Sequence, residues 1–131
     1  MSVSRKTRIL IVEDEEKVAF FLKEGLSDLQ EGYIVASASS AEEALDALDA
    51  RNFDLIITDF RLPGQNGLEL IRKLRISHPQ AVTMLITAYG SDELEAAAYK
   101  QNVARYLTKP FRLNEFVRAV QEVLPISEQP A

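Results

Sequence analysis

Short apolar runs alternate along the chain with longer segments in which apolar residues recur at helical spacing. The short runs are rich in β-branched residues and cover 8–12, 33–38, 55–58, 82–87 and 104–108. Runs this short and this apolar predict strands that are buried on both faces, which is the environment of strands in a parallel sheet.

Five segments of helical period follow these runs, because apolar residues recur in them every three or four positions. The predicted apolar faces are Val18, Phe21, Leu22, Leu26 and Leu29; Ala41, Ala44, Leu45 and Leu48; Leu68, Ile71 and Leu74; the alanine-rich segment 91–101; and Leu113, Phe116, Val117, Val120 and Leu124. Five strands alternating with five helices predict an α/β sandwich around a parallel sheet, with right-handed crossovers.

Polar residues at the predicted helix ends agree with these assignments. Ser40 followed by Glu43 fits a capping box, and Ser91 followed by two acids fits a helix start. Asn102 stands where a residue of left-handed conformation would end the fourth helix.

The composition predicts one globular domain, since 131 residues with 47% apolar and 27% charged side chains are ordinary for a single core. A net charge of -5 argues against direct nucleic-acid binding by this domain. The chain has no cysteine, which excludes disulfides and thiolate sites and suits a cytoplasmic location. No apolar run is long enough to cross a bilayer, so no membrane contact is expected.

The residues that can carry chemistry stand at the carboxyl ends of the predicted strands, where ligands bind in open parallel sheets. Glu13 and Asp14 follow the first strand, Asp59 follows the third, Thr87 ends the fourth and Lys109 follows the fifth. We therefore expect three carboxylates, a hydroxyl and an amine to converge on one rim of the sheet.

Such a cluster predicts phosphoryl transfer to a carboxylate. Three neighbouring carboxylates raise one another's pKa values unless a cation is present, and Mg²⁺ is the usual cellular cation for oxygen ligands. Lys109 offers a compact positive charge suited to a phosphate or a carboxylate, and Thr87 can donate a hydrogen bond to a phosphate oxygen. In phosphoryl transfer, catalysis is mostly positioning and charge neutralisation.

Each of these residues also has a purely structural interpretation. Acids at positions 13 and 14 precede a helix, where the helix dipole favours them. Asp59 could shape its loop through side-chain hydrogen bonds, Lys109 could be a solvated surface lysine, and Thr87 an ordinary strand-end hydroxyl. The functional interpretation depends on the convergence of all five.

Four stretches, taken in their order along the chain, resemble the receiver domain of two-component response regulators, the CheY-like superfamily. Each stretch covers the end of a predicted strand. They are RILIVEDE, LIITDFRLPGQNG, MLITAYG and ARYLTKPF. The resemblance covers residues 7–125 and implies a flavodoxin-like (βα)5 three-layer sandwich with a five-stranded parallel sheet of order 2-1-3-4-5. Residues 1–6 are then expected to be a disordered lead, and 126–131 a tail or the start of a linker.

The resemblance also implies roles for single residues. Asp59 is implied to be the phosphoacceptor, supplied by a sensor histidine kinase or a histidine phosphotransfer protein. Glu13, Asp14 and Asp59 are implied to hold Mg²⁺ together with the backbone carbonyl of Arg61, and Lys109 is implied to pair with the phosphate. Glutamate at position 13 replaces the aspartate that is more common in the family, and we expect metal binding to survive this change.

Three further positions follow from the resemblance. Thr87 and Tyr106 match the two switch residues: Thr87 is expected to move toward the phosphate, and the Tyr106 ring to fill the space it vacates. The surface of the fourth helix, fifth strand and fifth helix would change as a result and is a candidate homodimer interface. Pro110 corresponds to a proline that follows a cis peptide bond. Tyr106 as an ordinary aromatic at the edge of the core remains the alternative.

Two positions are predicted to tune the lifetime of the phosphorylated state. Arg61 lies two residues after Asp59, and Tyr89 two after Thr87, so both should flank the path of hydrolytic water.

Two other functions remain open. A receiver-like interaction module that works without phosphorylation would need none of the five rim residues. An aspartyl-phosphate hydrolase would typically carry a second aspartate two positions after the nucleophile, where this chain has Arg61. We therefore expect a signalling protein that assists its own phosphorylation and dephosphorylation, and not an enzyme.

Overall fold

The computed structural model describes residues 6–28 and 33–124, in which five strands alternate with five helices. The strands are β1 (Thr7–Val12), β2 (Tyr33–Ala38), β3 (Leu55–Asp59), β4 (Val82–Thr87) and β5 (Arg105–Thr108). The helices are α1 (Glu16–Ser27), α2 (Ala41–Ala50), α3 (Gly67–Ser77), α4 (Asp92–Lys100) and α5 (Leu113–Val123).

All strands pair in parallel in the order β2-β1-β3-β4-β5, which confirms the predicted flavodoxin-like sheet. The register brings the strand ends to one rim, since Val12 pairs with Thr58, and Asp59 pairs with Ile86. The Lys109 amide continues this rim by donating to the Thr87 carbonyl at 2.8 Å. Residues that follow different strands therefore meet at the same edge.

Apolar clusters on the two faces of the sheet form the core. One contains Ile9 and Ile57 with Phe116 of α5, and a second contains Leu10 and Ile56 with residues of α2 and α3. A third, smaller cluster joins α3, β4, α4 and β5. β3 is buried along its whole length, as expected for a central strand covered on both sides. Its burial holds the end of the strand, and therefore Asp59, in one place.

The predicted apolar face of the first helix was wrong at one position. The buried residues of α1 are Ala19, Leu22 and Leu26, whereas Phe21 is 53% exposed. Successive helical residues are rotated by about 100°, so Phe21 lies to one side of the stripe that Leu22 and Leu26 define. Leu29, the last residue of the predicted stripe, lies outside the described residues.

The helix ends follow the prediction with one adjustment. Ser40 caps α2 by accepting from the Glu43 amide at 3.1 Å, but the Glu43 carboxylate accepts from Ser39 and not from Ser40, so the box is displaced by one residue. Ser91 accepts from the Leu94 amide at 3.0 Å, and Asn102 has the predicted left-handed conformation with φ of 64°.

The predicted disordered lead and tail, 1–6 and 126–131, lie outside the described residues except for Lys6. Among the helices that the structure describes, none combines the length and the apolar character of a membrane span.

Candidate functional site

Four of the five side chains predicted to converge form one ionic cluster at the rim. Carboxylate oxygens of Glu13, Asp14 and Asp59 all lie within 4.8 Å of one another. The Lys109 ammonium donates to Glu13 Oε1 at 3.1 Å and to Asp59 Oδ2 at 2.9 Å. Lys109 and Glu13 are 96 positions apart in the chain, so the sheet alone brings them together.

Burial divides the three acids into two kinds. Glu13 is 2% exposed and Asp59 is 7% exposed, whereas Asp14 is exposed to solvent. The Glu15 amide donates to Glu13 Oε2 at 3.2 Å, so both oxygens of the Glu13 carboxylate have a donor. Two carboxylates are therefore fixed in the wall of the site, and a third stands at its open side.

The pKa of the Glu13 carboxyl is raised from 4.5 to about 7, first because burial removes its solvation and then because of the charge of Asp59. Hydrogen bonds from the Glu15 amide and Lys109 act in the opposite direction. Burial by itself lowers the pKa of Lys109, but its hydrogen bonds to Asp59 and Glu13 outweigh this effect and leave the pKa raised. The lysine is therefore charged, and the Glu13 carboxyl keeps its proton to a higher pH than a solvated glutamate does.

The cluster of acids fits a magnesium ion. Three carboxylates opposite one ammonium form an anionic oxygen cluster, and hard divalent cations prefer oxygen ligands. Oxygens within 4.8 Å of one another are close enough to share one ion, directly or through its waters. The rim can therefore hold Mg²⁺ through Glu13, Asp14 and Asp59.

The loop after β3 fixes the end of the strand. The Arg61 amide donates to Asp59 Oδ1 at 3.3 Å, and the Gly67 amide donates to the Phe60 carbonyl at 2.8 Å. Gly67 lies so close to the strand that a Cβ atom there would be 2.2 Å from the Asp59 carbonyl oxygen. Asn66 and Glu69 then begin α3 with a capping box. Gly67 carries no signal in the sequence, because its role depends on a contact across the loop.

Thr87, the fifth predicted rim residue, is fully buried at the end of β4. Its hydroxyl oxygen accepts a hydrogen bond from the Tyr89 amide at 3.0 Å. The hydroxyl hydrogen is not used in that bond and can be donated to another acceptor. The Lys109–Pro110 peptide bond is cis, as the resemblance implies.

Tyr106 packs inside the protein, with 8% of its surface exposed. The ring belongs to a small cluster that includes Leu85 and Ala98, and its hydroxyl accepts from the Ser91 amide at 3.3 Å. The Tyr106 amide in turn donates to the Tyr99 hydroxyl at 3.2 Å. Tyr106 is therefore bonded to residues at both ends of α4. Tyr99 was missed in the sequence because an exposed aromatic on a helix carries no such signal.

A cleft of about 480 Å³ opens beside Asp59. Its lining includes Asp14, Asp59 and Lys109 of the ionic cluster, together with Arg61 and Tyr89. The guanidinium carbon of Arg61 lies 4.4 Å from the centre of the Tyr89 ring. The two residues predicted to flank a water path are therefore in contact with each other.

Fold and site together define a class of α/β protein that carries an acidic cluster and a lysine at the carboxyl edge of a five-stranded parallel sheet. The family model for the response regulator receiver domain matches residues 9–121, and the chain belongs to this family.

The individual relatives agree with this assignment. The uncharacterized transcriptional regulatory protein YkoG of Bacillus subtilis is 37% identical over 119 residues, which are 91% of this chain and 51% of YkoG. The non-phosphorylated HemR receiver domain from Leptospira biflexa has a TM-score of 0.85 and 29% identity, covering 96% of this chain and 100% of that one. The beryllofluoride-activated NtrC4 receiver domain dimer has a TM-score of 0.81 and 29% identity, covering 88% and 93%.

The chain spans about half of YkoG and about a quarter of two further relatives. Those relatives are longer than this chain, and their functions therefore depend in part on segments that this chain does not match.

Proposed function

We propose that this receiver domain is a phosphorylation-controlled switch in which Asp59 accepts a phosphoryl group from a phosphohistidine on a sensor kinase or a phosphotransfer protein. The observation that supports it best is the position of Asp59. Its carboxylate ends a fully buried strand, one oxygen is bonded to Lys109, and two further carboxylates lie within 4.8 Å.

The residues of the rim suit each part of this transfer. A carboxylate oxygen of Asp59 attacks the phosphorus, the phosphorus–nitrogen bond breaks, and its electron pair leaves with the imidazole. Lys109 is within reach of the phosphoryl oxygens because it already contacts Asp59 Oδ2, and the free hydroxyl hydrogen of Thr87 is a further donor. Mg²⁺ held by Glu13, Asp14 and Asp59, with the Arg61 carbonyl as a further ligand, would neutralise charge on the phosphoryl oxygens.

The change at Asp59 would reach α4 through Tyr106. The Tyr106 hydroxyl is bonded to the Ser91 amide before α4, and its amide is bonded to Tyr99 near the end of the helix. A shift of Thr87 toward the phosphoryl group would alter the packing beside this ring and change the relative stability of two positions of α4. The surface of α4, β5 and α5 is therefore the proposed output surface.

Two kinds of partner follow from this proposal. One is the phosphodonor protein, and the other is a second copy of the chain, docked through α4, β5 and α5. The activated NtrC4 receiver, which is similar to this chain, is a dimer, and this supports the second.

Asp59→Asn is the test of the proposal. With Mg²⁺ and acetyl phosphate, we expect wild-type protein to gain one phosphoryl group by intact mass and Asp59→Asn to gain none, because an amide oxygen is a poor nucleophile. Asp46→Asn, on the exposed side of α2, is the matched control and should behave as wild type. Beryllofluoride, which stands in for the phosphoryl group, should bind wild type and Asp46→Asn only.

The two alternative functions give different results in the same experiment. A wild-type chain that gains no phosphoryl group and binds no beryllofluoride would be an interaction module. Steady turnover of p-nitrophenyl phosphate that depends on Asp59 would identify a hydrolase instead.

Tyr89→Ala is expected to shorten the lifetime of the phosphorylated protein. The ring is 65% exposed at the mouth of the cleft, so its removal opens a path for water to the phosphoryl group without disturbing the core. We expect hydrolysis about 3 to 10 times faster, since about 1 kcal/mol of barrier corresponds to this range. The decay is followed by intact mass after removal of acetyl phosphate, and an unchanged rate would rule out the shielding role.

A further inference from the structure

Among the described residues, the guanidinium of Arg61 is a cation without an anionic partner, and it lines the cleft proposed to receive a phosphoryl group. Two cationic side chains line the cleft, and Lys109 is already paired with Glu13 and Asp59. Within the described residues Arg61 forms no ion pair, and its guanidinium lies against the face of the Tyr89 ring. The positive charge of the Arg61 guanidinium is therefore available to bind an anion.

The contact with Tyr89 is a weak one. Arg61 is exposed and the Tyr89 ring is 65% exposed, and cation–π contacts at solvent-exposed sites stabilise little. A guanidinium has five donors in a planar fork, which matches phosphoryl oxygens and forms short, charge-assisted hydrogen bonds with them. A phosphoryl group within reach would therefore compete successfully with the ring for the guanidinium.

Arg61 is also well placed to reach the acceptor. Its backbone amide already donates to Asp59 Oδ1 at 3.3 Å, so the residue begins beside the carboxylate that would carry the phosphoryl group. Both residues line the same cleft. The exchange of the ring for the phosphoryl group would therefore be a rotation of the long Arg61 side chain within this cleft.

We propose that Arg61 is a phosphoryl-group ligand that rests on the Tyr89 ring, and that Tyr89 competes with the phosphoryl group for it. This inference rests on the proposed function and adds a ligand to its site. When Asp59 is phosphorylated, the guanidinium leaves the ring and binds a phosphoryl oxygen. Tyr89 then loses its cation, so the mouth of the cleft differs between the two states.

Substitutions at the two positions should then change affinity in opposite directions. Removing the guanidinium removes a ligand, whereas removing the aromatic ring frees the guanidinium from a competing contact. If Arg61 and Tyr89 acted only by covering the mouth of the cleft, the loss of either side chain would open the same mouth. The two substitutions would then change affinity in the same direction. Whether substitution of Tyr89 tightens or weakens binding therefore distinguishes a competing ligand of Arg61 from a steric cover.

The experiment is a beryllofluoride titration in the presence of Mg²⁺, followed by fluorine-19 NMR. We expect Arg61→Gln to weaken binding about tenfold, the equivalent of one charge-assisted contact. Tyr89→Leu keeps an apolar side chain of similar bulk without the π face and should tighten binding about twofold to fivefold, the range of a weak cation–π contact. In the double variant the tightening should disappear, because no guanidinium remains to be freed.

Arg72→Gln is the matched control, because it removes one arginine from the exposed face of α3 and changes the net charge equally. It should bind beryllofluoride as wild type does. Wild-type affinity in Arg61→Gln, or weaker binding in Tyr89→Leu, would overturn the inference while leaving the proposed function in place. Absence of binding to the wild-type chain would instead overturn the proposed function, and this inference with it.

Discussion

Gly67→Ala is expected to destabilise the protein by at least about 3 kcal/mol, at the upper end of the range for overpacking. A Cβ atom at this position would lie 2.2 Å from the Asp59 carbonyl oxygen and 3.1 Å from its carbonyl carbon. The obstacle is the backbone of a buried strand, which cannot rotate aside as a side chain can. Either the start of α3 or the end of β3 must move, and the second would displace Asp59. Urea denaturation followed by circular dichroism measures the loss.

Gly64→Ala in the same loop separates the clash from the loss of a glycine. Gly64 has φ of 80°, so alanine there is strained, but a Cβ atom would have nothing within 4 Å. We expect this variant to lose only about 1 to 2 kcal/mol, the usual cost of a left-handed conformation. If Gly67→Ala were no less stable than Gly64→Ala, the close packing of α3 on the Asp59 carbonyl would be contradicted.

Without Mg²⁺, the stability of the protein is expected to fall as pH rises from about 4.5 to about 7. The pKa of Glu13 is raised from 4.5 to about 7 by burial and by the charge of Asp59, so between these values the folded protein binds more protons than the unfolded chain. The contribution of Glu13 is therefore fully present below pH 4.5 and lost above pH 7. Since one pKa unit corresponds to about 1.4 kcal/mol, the full change is on the order of 3 kcal/mol.

Glu13→Gln should remove most of this dependence and stabilise the metal-free protein at pH 8. The amide oxygen can still accept from the Glu15 amide, but it carries no charge beside Asp59. Glu24→Gln, at an exposed position of α1, is the control and should retain the wild-type profile. Mg²⁺ should flatten the wild-type profile by compensating the charge of the acids, and should affect Glu13→Gln less. Thermal melts across pH 5 to 8 with and without Mg²⁺ provide the measurement; a steep profile in metal-free Glu13→Gln would refute the assignment to Glu13.

Most of the fold was predictable because hydrophobic periodicity depends on which faces of an element are covered. β3 illustrates this: an apolar run that fits a two-faced strand proved to be buried at all five residues. The exposure of Phe21 was not predictable in this way, because an aromatic residue beside an apolar stripe has the same character as one within it. Its 53% exposure depends on where α1 turns its buried face.

The site was predictable to the level of residue types and their common rim. Glu13, Asp59 and Lys109 follow different strands, and parallel strands end at the same edge of a sheet, so their approach could be inferred from order alone. The hydrogen bonds of Tyr106 to Tyr99 and Ser91 could not, because they depend on how α4 lies against β5. The contact of Arg61 with Tyr89 joins two separate loops, and neither loop specifies the other.

The sequence by itself determined the alternation of strands and helices, the parallel sheet and the identity of the acids, hydroxyl and lysine at its edge. These properties follow from local periodicity and from the single direction of parallel strands. Only the tertiary structure decided that Glu13 is buried and its pKa raised, that Gly67 packs against the Asp59 carbonyl, and that Arg61 rests on Tyr89. Burial, close approach and side-chain pairing depend on residues that are remote in the chain. They are therefore fixed only when the helices have packed on the sheet.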